Sequence, residues 1–172
     1  MLKVALGVLV LGIAVVGQAL PPKGGSHETK ETKHLTVAAS AAPAAVAPGK
    51  RVTLAIDVSP KPKMHVYSPG QEGYIAISLT LEPNPAFTAA KAKYPAGEKL
   101  FMPVLKETQL VYAKPFRIVQ DLTLASTPAL RQQAAAGTPL TIKGTLRYQA
   151  CDDTICYIPA TVPLTWTVAL AK

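Results

Sequence analysis

The chain has 172 residues, with 18 lysines and arginines against 10 aspartates and glutamates, a formal charge of +8, and only 6% aromatic residues. With a leader set aside, about 150 residues remain, enough for one domain with a full core. The basic residues, among them Lys50, Arg51, Lys61, Lys63, Lys91, Lys93 and Lys99, are scattered with few aromatics between them, which argues against a nucleic-acid partner and for a solvated basic surface.

In chain order, Met1 to Lys3 is a short basic start, Val4 to Val16 is apolar and small, and Gly17-Gln18-Ala19 supplies small residues at the positions a signal peptidase reads. Residues 1–19 are therefore expected to be a cleaved export signal, which makes the remainder periplasmic or otherwise exported. The competing reading is an uncleaved N-terminal anchor, but the apolar run ends at Leu20, contains Gln18 and falls short of the 20 or so residues that a spanning helix needs, so cleavage is the expectation and no membrane insertion after it. Residues 20–34, with Pro21 to His34 reading PPKGGSHETKETKH, mix Pro, Gly, Lys and Glu without apolar periodicity and are expected to be a flexible linker. The folded domain is expected over residues 35–172.

Period-two alternation dominates that domain. Val52, Leu54, Ile56 and Val58 share one face of a strand over Arg51 to Ser59, and Ile75, Ile77, Leu79 and Leu81 share one face of the next. Phe116, Ile118, Gln120, Leu122 and Leu124 mark a third. Leu140, Ile142, Leu146 and Tyr148 then point inward from one long strand, and Val162, Leu164, Trp166, Val168 and Leu170 from another. Turn signals such as Pro48-Gly49, Pro60-Lys61-Pro62, Pro83-Asn84-Pro85 and Gly137-Thr138-Pro139 separate the runs at sandwich spacing. One short helix is expected over Pro128 to Ala136. The pattern predicts an all-β two-sheet β-sandwich, monomeric.

Between the last two long strands, in RYQACDDTICYIPATVPLTW, stand the only cysteines, Cys151 and Cys156. A disulfide closing so short a loop restricts the unfolded chain little, about 2 kcal/mol against roughly 3 to 5 for loops of tens of residues. That favours reversible redox chemistry over bracing, although a structural hairpin bridge remains the alternative. A zinc or iron–sulfur site lacks its further ligands, and no metal or cofactor is expected. A third reading, copper handling, draws on Met64, His65, Met102 and the two thiols, all soft or borderline ligands. Continuing the parity of Leu140 to Tyr148 places Cys151 on the outer face, within reach of a partner. Asp152 and Asp153 follow at once; they either disfavour a thiolate by like-charge repulsion or serve the turn.

YQACDDTICYIPAT resembles the redox loop of the N-terminal, immunoglobulin-like periplasmic domain of the thiol:disulfide interchange protein DsbD and of the disulfide-bond-corrector family built on it. KMHVYSPGQEG and YPAGEKLFMPVLKETQLVYAKPF are similar to two earlier segments of the same family. Four residues separate the cysteines here, one fewer than in DsbD. The resemblance implies a protein-disulfide reductase or electron carrier that exchanges with a membrane thiol-electron transporter and with exported thioredoxin-like proteins. By motif position it makes Cys156 the sulfur that forms mixed disulfides and Cys151 the one that resolves them. It also implies a capping loop at about Leu100 to Lys106, with Phe101 and Met102 serving, and a pocket wall to which Tyr67 and Tyr148 are candidates. The competing function is a non-catalytic immunoglobulin-like interaction module.

Overall fold

The computed structural model describes residues 28–103 and 105–172. The export signal expected over residues 1–19 and the linker as far as residue 27 lie outside the described residues. Along the rest run β1 (Glu28–Glu31), β2 (Leu35–Ala42), β3 (Ala45–Val46), β4 (Arg51–Pro60), β5 (His65–Tyr67), β6 (Ser78–Leu81) and β7 (Phe87–Ala89). There follow β8 (Glu98–Met102), β9 (Glu107–Tyr112), β10 (Phe116–Leu124), α1 (Pro128–Ala135), β11 (Leu140–Tyr148), β12 (Ala150–Cys151) and β13 (Ala160–Leu170). No helix among the described residues is long and apolar enough to cross a membrane.

The architecture is an all-β sandwich. One layer has the order β1-β2-β4-β10-β7 and the other β3-β13-β11-β6. In the first, β10 lies antiparallel to β4 with Ile118 opposite Ile56 and Leu122 opposite Val52, so the alternating apolar residues of both strands project together, these four fully buried. In the second, Ile142 lies opposite Trp166 and Leu140 opposite Val168. Residues of opposite parity stay in solvent, which is how a half-buried antiparallel sheet uses its sequence. Gly144 of β11 is a glycine for lack of room: a Cβ there would stand 2.9 Å from the Thr80 carbonyl oxygen and from Leu81 Cδ2, and 3.3 Å from the Trp166 ring. The helix α1 forms where expected, with Thr127 Oγ1 accepting from the Leu130 amide and Pro128 at its first turn.

The expected all-β sandwich is present, with a third sheet, β12-β5-β9-β8, beside its two layers. Strand β1 lies within residues 20–34, expected as linker: it pairs with β2 from Glu28↔Ala39 to Glu31↔Thr36, and His34 is buried. The sequence Glu-Thr-Lys-Glu is polar on both faces, so periodicity could not reveal an edge strand whose partner is the next segment. The strand expected from Ile75 is shorter, beginning at Ser78; Ile77 is buried but its amide donates to the Tyr67 carbonyl outside any ladder of β6.

β11 and β13 hold Tyr148 opposite Ala160. The connection between them leaves the sandwich at one end, and the third sheet receives it there: Ala150 pairs with Val66 and Cys151 with His65.

Candidate redox site

Cys151 and Cys156 are joined in a disulfide and are themselves antiparallel bridge partners. The four residues between them are held by Asp152. Its Oδ1 accepts from the Ile155 amide at 2.9 Å and from the Thr154 amide and hydroxyl at 2.8 Å each, while the Tyr157 hydroxyl donates to Oδ2 at 2.8 Å. These donors, the Ile155 and Thr154 amides first, hold the Asp152 carboxyl far below the ordinary carboxylate range. Asp152 therefore serves the turn, as a side chain that satisfies backbone donors in a tight connection. Asp153 is exposed beside it and lines the same cavity.

The two sulfurs are unequal in access. Cys156 is exposed, whereas Cys151 is 1% exposed. This overturns the accessibility expected for Cys151. The parity of β11 runs on through Ala150, which is buried in the main core with Tyr148, so Cys151 does leave the opposite face; that face is covered here by Tyr67 and Val111 of the third sheet. Gln149 bridges the crossing between the sheets, its Oε1 accepting from the Ile75 amide and its Nε2 donating to the Tyr157 carbonyl.

Tyr67 lies directly on the pair. Its hydroxyl is 3.1 Å from Cys151 Sγ and 3.2 Å from Cys156 Sγ. Disulfide sulfurs carry no hydrogen, so the phenol is the donor. Burial, with the neighbouring Tyr74 and Glu107, pushes its pKa up to about 12, so it keeps its proton throughout the neutral range. The ring stacks on Tyr74 at 4.3 Å, the Tyr74 hydroxyl donates to Glu107 Oε1, and Gln109 Nε2 donates to that same oxygen at 2.7 Å. The Gln109 amide and then the Tyr74 hydroxyl hold the Glu107 carboxyl below its ordinary range.

Beside the sulfurs opens a cavity of about 220 Å³ whose walls include Tyr74, Met102, Leu105, Gln109 and Ile155. Met102 is 6% exposed and forms part of this wall; Phe101, one residue earlier on β8, is 60% exposed and projects from the opposite face, since successive strand residues alternate. Of the two cap candidates, Met102 reaches the site and Phe101 does not line it. Val104 lies outside the described residues. Tyr148, expected as a wall residue, belongs to the sandwich core, and its hydroxyl donates to Thr32 Oγ1 at 3.1 Å. Met64 lines a neighbouring cavity with Pro62, Lys63 and the two aspartates, apart from the cavity that Met102 shares with the sulfurs. No group of three or more His, Cys, Asp or Glu residues placed to hold a metal ion occurs among the described residues.

The sequence reading missed Tyr74, Glu107 and Gln109 as site residues. Glu107, Gln109 and Val111 alternate along β9 toward one face, a faint period-two signal in which the first two members are polar.

The closed loop being short, replacing both cysteines with alanine is expected to cost about 2 kcal/mol from loop entropy. Chemical denaturation followed by circular dichroism checks this; a failure to fold would show that the bridge braces the domain.

Residues 32–165 match the family described as thiol:disulfide interchange protein DsbD, N-terminal. Among solved structures, the N-terminal periplasmic domain of ScsB from Proteus mirabilis is similar at a TM-score of 0.55 and 15% identity, over 80% of this chain and 49% of that one. The present chain thus spans about half the length of that structure, and at this identity the likeness concerns the fold. The GAE domain of GGA2p from Saccharomyces cerevisiae is similar at a TM-score of 0.44 and 8% identity, over 83% of this chain and 96% of that one. No match was found among curated proteins.

Proposed function

The chain belongs to the family of the DsbD N-terminal domain, and from that premise we propose that it is an exported thiol:disulfide interchange protein that carries reducing equivalents through Cys151 and Cys156 to or from thioredoxin-like partners. The observation that carries this reading is the unequal access of the two sulfurs, one exposed and the other 1% exposed beneath a tyrosine hydroxyl. Exchange needs one sulfur that a partner can attack in line and a second thiol retained beside it to release the mixed disulfide.

In the reducing direction a partner thiolate attacks Cys156 Sγ. A partner–Cys156 bond forms, the Cys151–Cys156 bond breaks, and its electron pair stays on Cys151 Sγ. The Tyr67 hydroxyl, already 3.1 Å away, donates to the departing sulfur without moving. The partner's second thiol then releases Cys156, and the pair has gained two electrons and two protons. In the other direction Cys151 resolves. Two of the exposed large hydrophobics among the described residues, Leu105 and Ile155, line the cavity beside the sulfurs. Exposed apolar side chains next to an exposed sulfur suit transient protein docking. Electrons are supplied, in this reading, by a membrane thiol-electron transporter, and the site lies in the periplasm or an equivalent exported space.

The test is equilibration of the full chain with a thioredoxin-like protein across glutathione buffers, with thiol alkylation to count reduced pairs. The pair is expected to be half reduced near the thioredoxin range, about −270 mV. If it stays oxidised to below about −300 mV, where structural bridges lie, the interaction-module reading replaces this one.

A further inference from the structure

Behind the disulfide lies a group that the exchange step leaves unused. His65 stands directly opposite Cys151 in the β5–β12 register, so the two side chains leave the same face of the sheet as a cross-strand pair. His65 is 2% exposed and its Nε2 has no hydrogen-bond partner. Its ring meets that of Tyr67 edge-on with centroids 6.0 Å apart, and Tyr67 is the residue whose hydroxyl touches both sulfurs. On the neighbouring strand Gln109 is 1% exposed; its Nε2 is committed to Glu107, while its Oε1 is without a partner. Gln109 is close enough to favour the protonated imidazole. Two buried, unpartnered polar atoms on one small patch of sheet, next to a buried sulfur, call for an explanation that the oxidised state does not supply.

The charge balance of exchange supplies it. With the disulfide closed, the site holds no charge on sulfur, and burial keeps His65 below its ordinary pKa, hence neutral. Opening the disulfide leaves an electron pair on Cys151, whose position is 1% exposed and poorly solvated. Tyr67 donates a hydrogen bond but retains its own proton. The ionised groups that face this region are Asp152 and Asp153 on the redox connection, Glu107 on β9, and Lys63 just before β5, beside the aspartates; the phenols of Tyr67 and Tyr74 are neutral. The three carboxylates oppose a lone thiolate and favour an imidazolium.

We propose that His65 takes up a proton as the disulfide opens and pairs as an imidazolium with the Cys151 thiolate, with Gln109 Oε1 accepting from the ring. This deepens the redox reading above and rests on it. The step balances: the partner thiol releases a proton on ionising, its thiolate displaces Cys151 from Cys156, one S–S bond replaces another, and the released proton resides on His65 until Cys151 attacks again. No further oxidant or reductant enters.

The test follows the His65 ring by NMR in the full chain, oxidised and then reduced with a small dithiol, across pH. Reduction is expected to raise the proton affinity of His65 at least tenfold. In a Cys156→Ala background, where Cys151 is the sole thiol, His65→Phe is expected to lower the acidity of Cys151 at least tenfold, read from thiolate ultraviolet absorbance, with the circular dichroism spectrum unchanged. A His65 titration identical in the two redox states, or a Cys151 titration unmoved by His65→Phe, overturns the proposal. Should His65→Phe fail to fold, the wild-type NMR comparison decides alone. Because a small dithiol replaces the protein partner, failure of exchange with thioredoxin-like proteins would overturn the redox reading without touching this measurement, and an unshifted His65 in a protein that exchanges well would overturn this proposal only.

Discussion

Cys151→Ala is expected to accumulate a covalent complex with a thioredoxin-like partner, while Cys156→Ala yields background levels only. The difference is expected to be nearly all-or-none, because the two positions differ in kind. A sulfur must be approached along the axis of the bond it will break, and a partner has such an approach to Cys156, exposed at the mouth of the cavity, but none to Cys151 under Tyr67. Removing the buried thiol therefore leaves attack intact and removes resolution, so the mixed disulfide persists. Removing the exposed thiol leaves one the partner cannot reach. Non-reducing gels of extracts, probed for this chain, read the result. Equal trapping by both variants, or trapping through Cys151 alone, would reverse the assigned roles, and no trapping by either would return the pair to a structural part.

Much of the sandwich could be read from the chain because each of its long strands carries its own period. Val52, Leu54, Ile56 and Val58 needed no knowledge of their partners to be placed inward, nor did the inward residues of Leu140–Tyr148 and Ala160–Leu170. The third sheet lacked such a signal: β5 and β12 have three and two residues, too few to show alternation, and β8 carries a mixed pattern. The site followed the same division. Its cysteines were evident from composition and motif, and Tyr67 and Met102 from resemblance. The contact that matters most, between Tyr67 and Cys151, spans 84 residues, and periodicity within a strand carries no information about pairing at that distance. Strand parity carried through Gln149 put Cys151 on the face away from the main core, but parity does not tell what covers a face, and here Tyr67 and Val111 of the third sheet bury it.

The largest expected loss of stability comes from the sandwich, at its single tryptophan. Trp166→Ala is expected to cost about 3 to 5 kcal/mol, the range for removing a buried Trp or Phe side chain to alanine. Trp166 is fully buried, it lies opposite Ile142, and its ring fills the space that Gly144 leaves across the strand pair. A void there is enclosed by strands paired on both sides and has little room to collapse, which places the cost toward the upper end. Trp166 Nε1 has no hydrogen-bond partner, so much of what the residue contributes is ring volume, with an unmatched donor counting against it. Trp166→Phe keeps much of the volume and discards that donor, and is expected to cost only about 1 kcal/mol. Denaturant unfolding followed by circular dichroism reads both, since fluorescence is lost with the tryptophan. A loss below about 1 kcal/mol in Trp166→Ala would mean that the core relaxes around the gap. Tyr67, Val111 and Cys151 form a small apolar cluster of their own, apart from the main core. Trp166→Phe should therefore leave thiol exchange unchanged, which separates what holds the domain together from what the third sheet does with its two sulfurs.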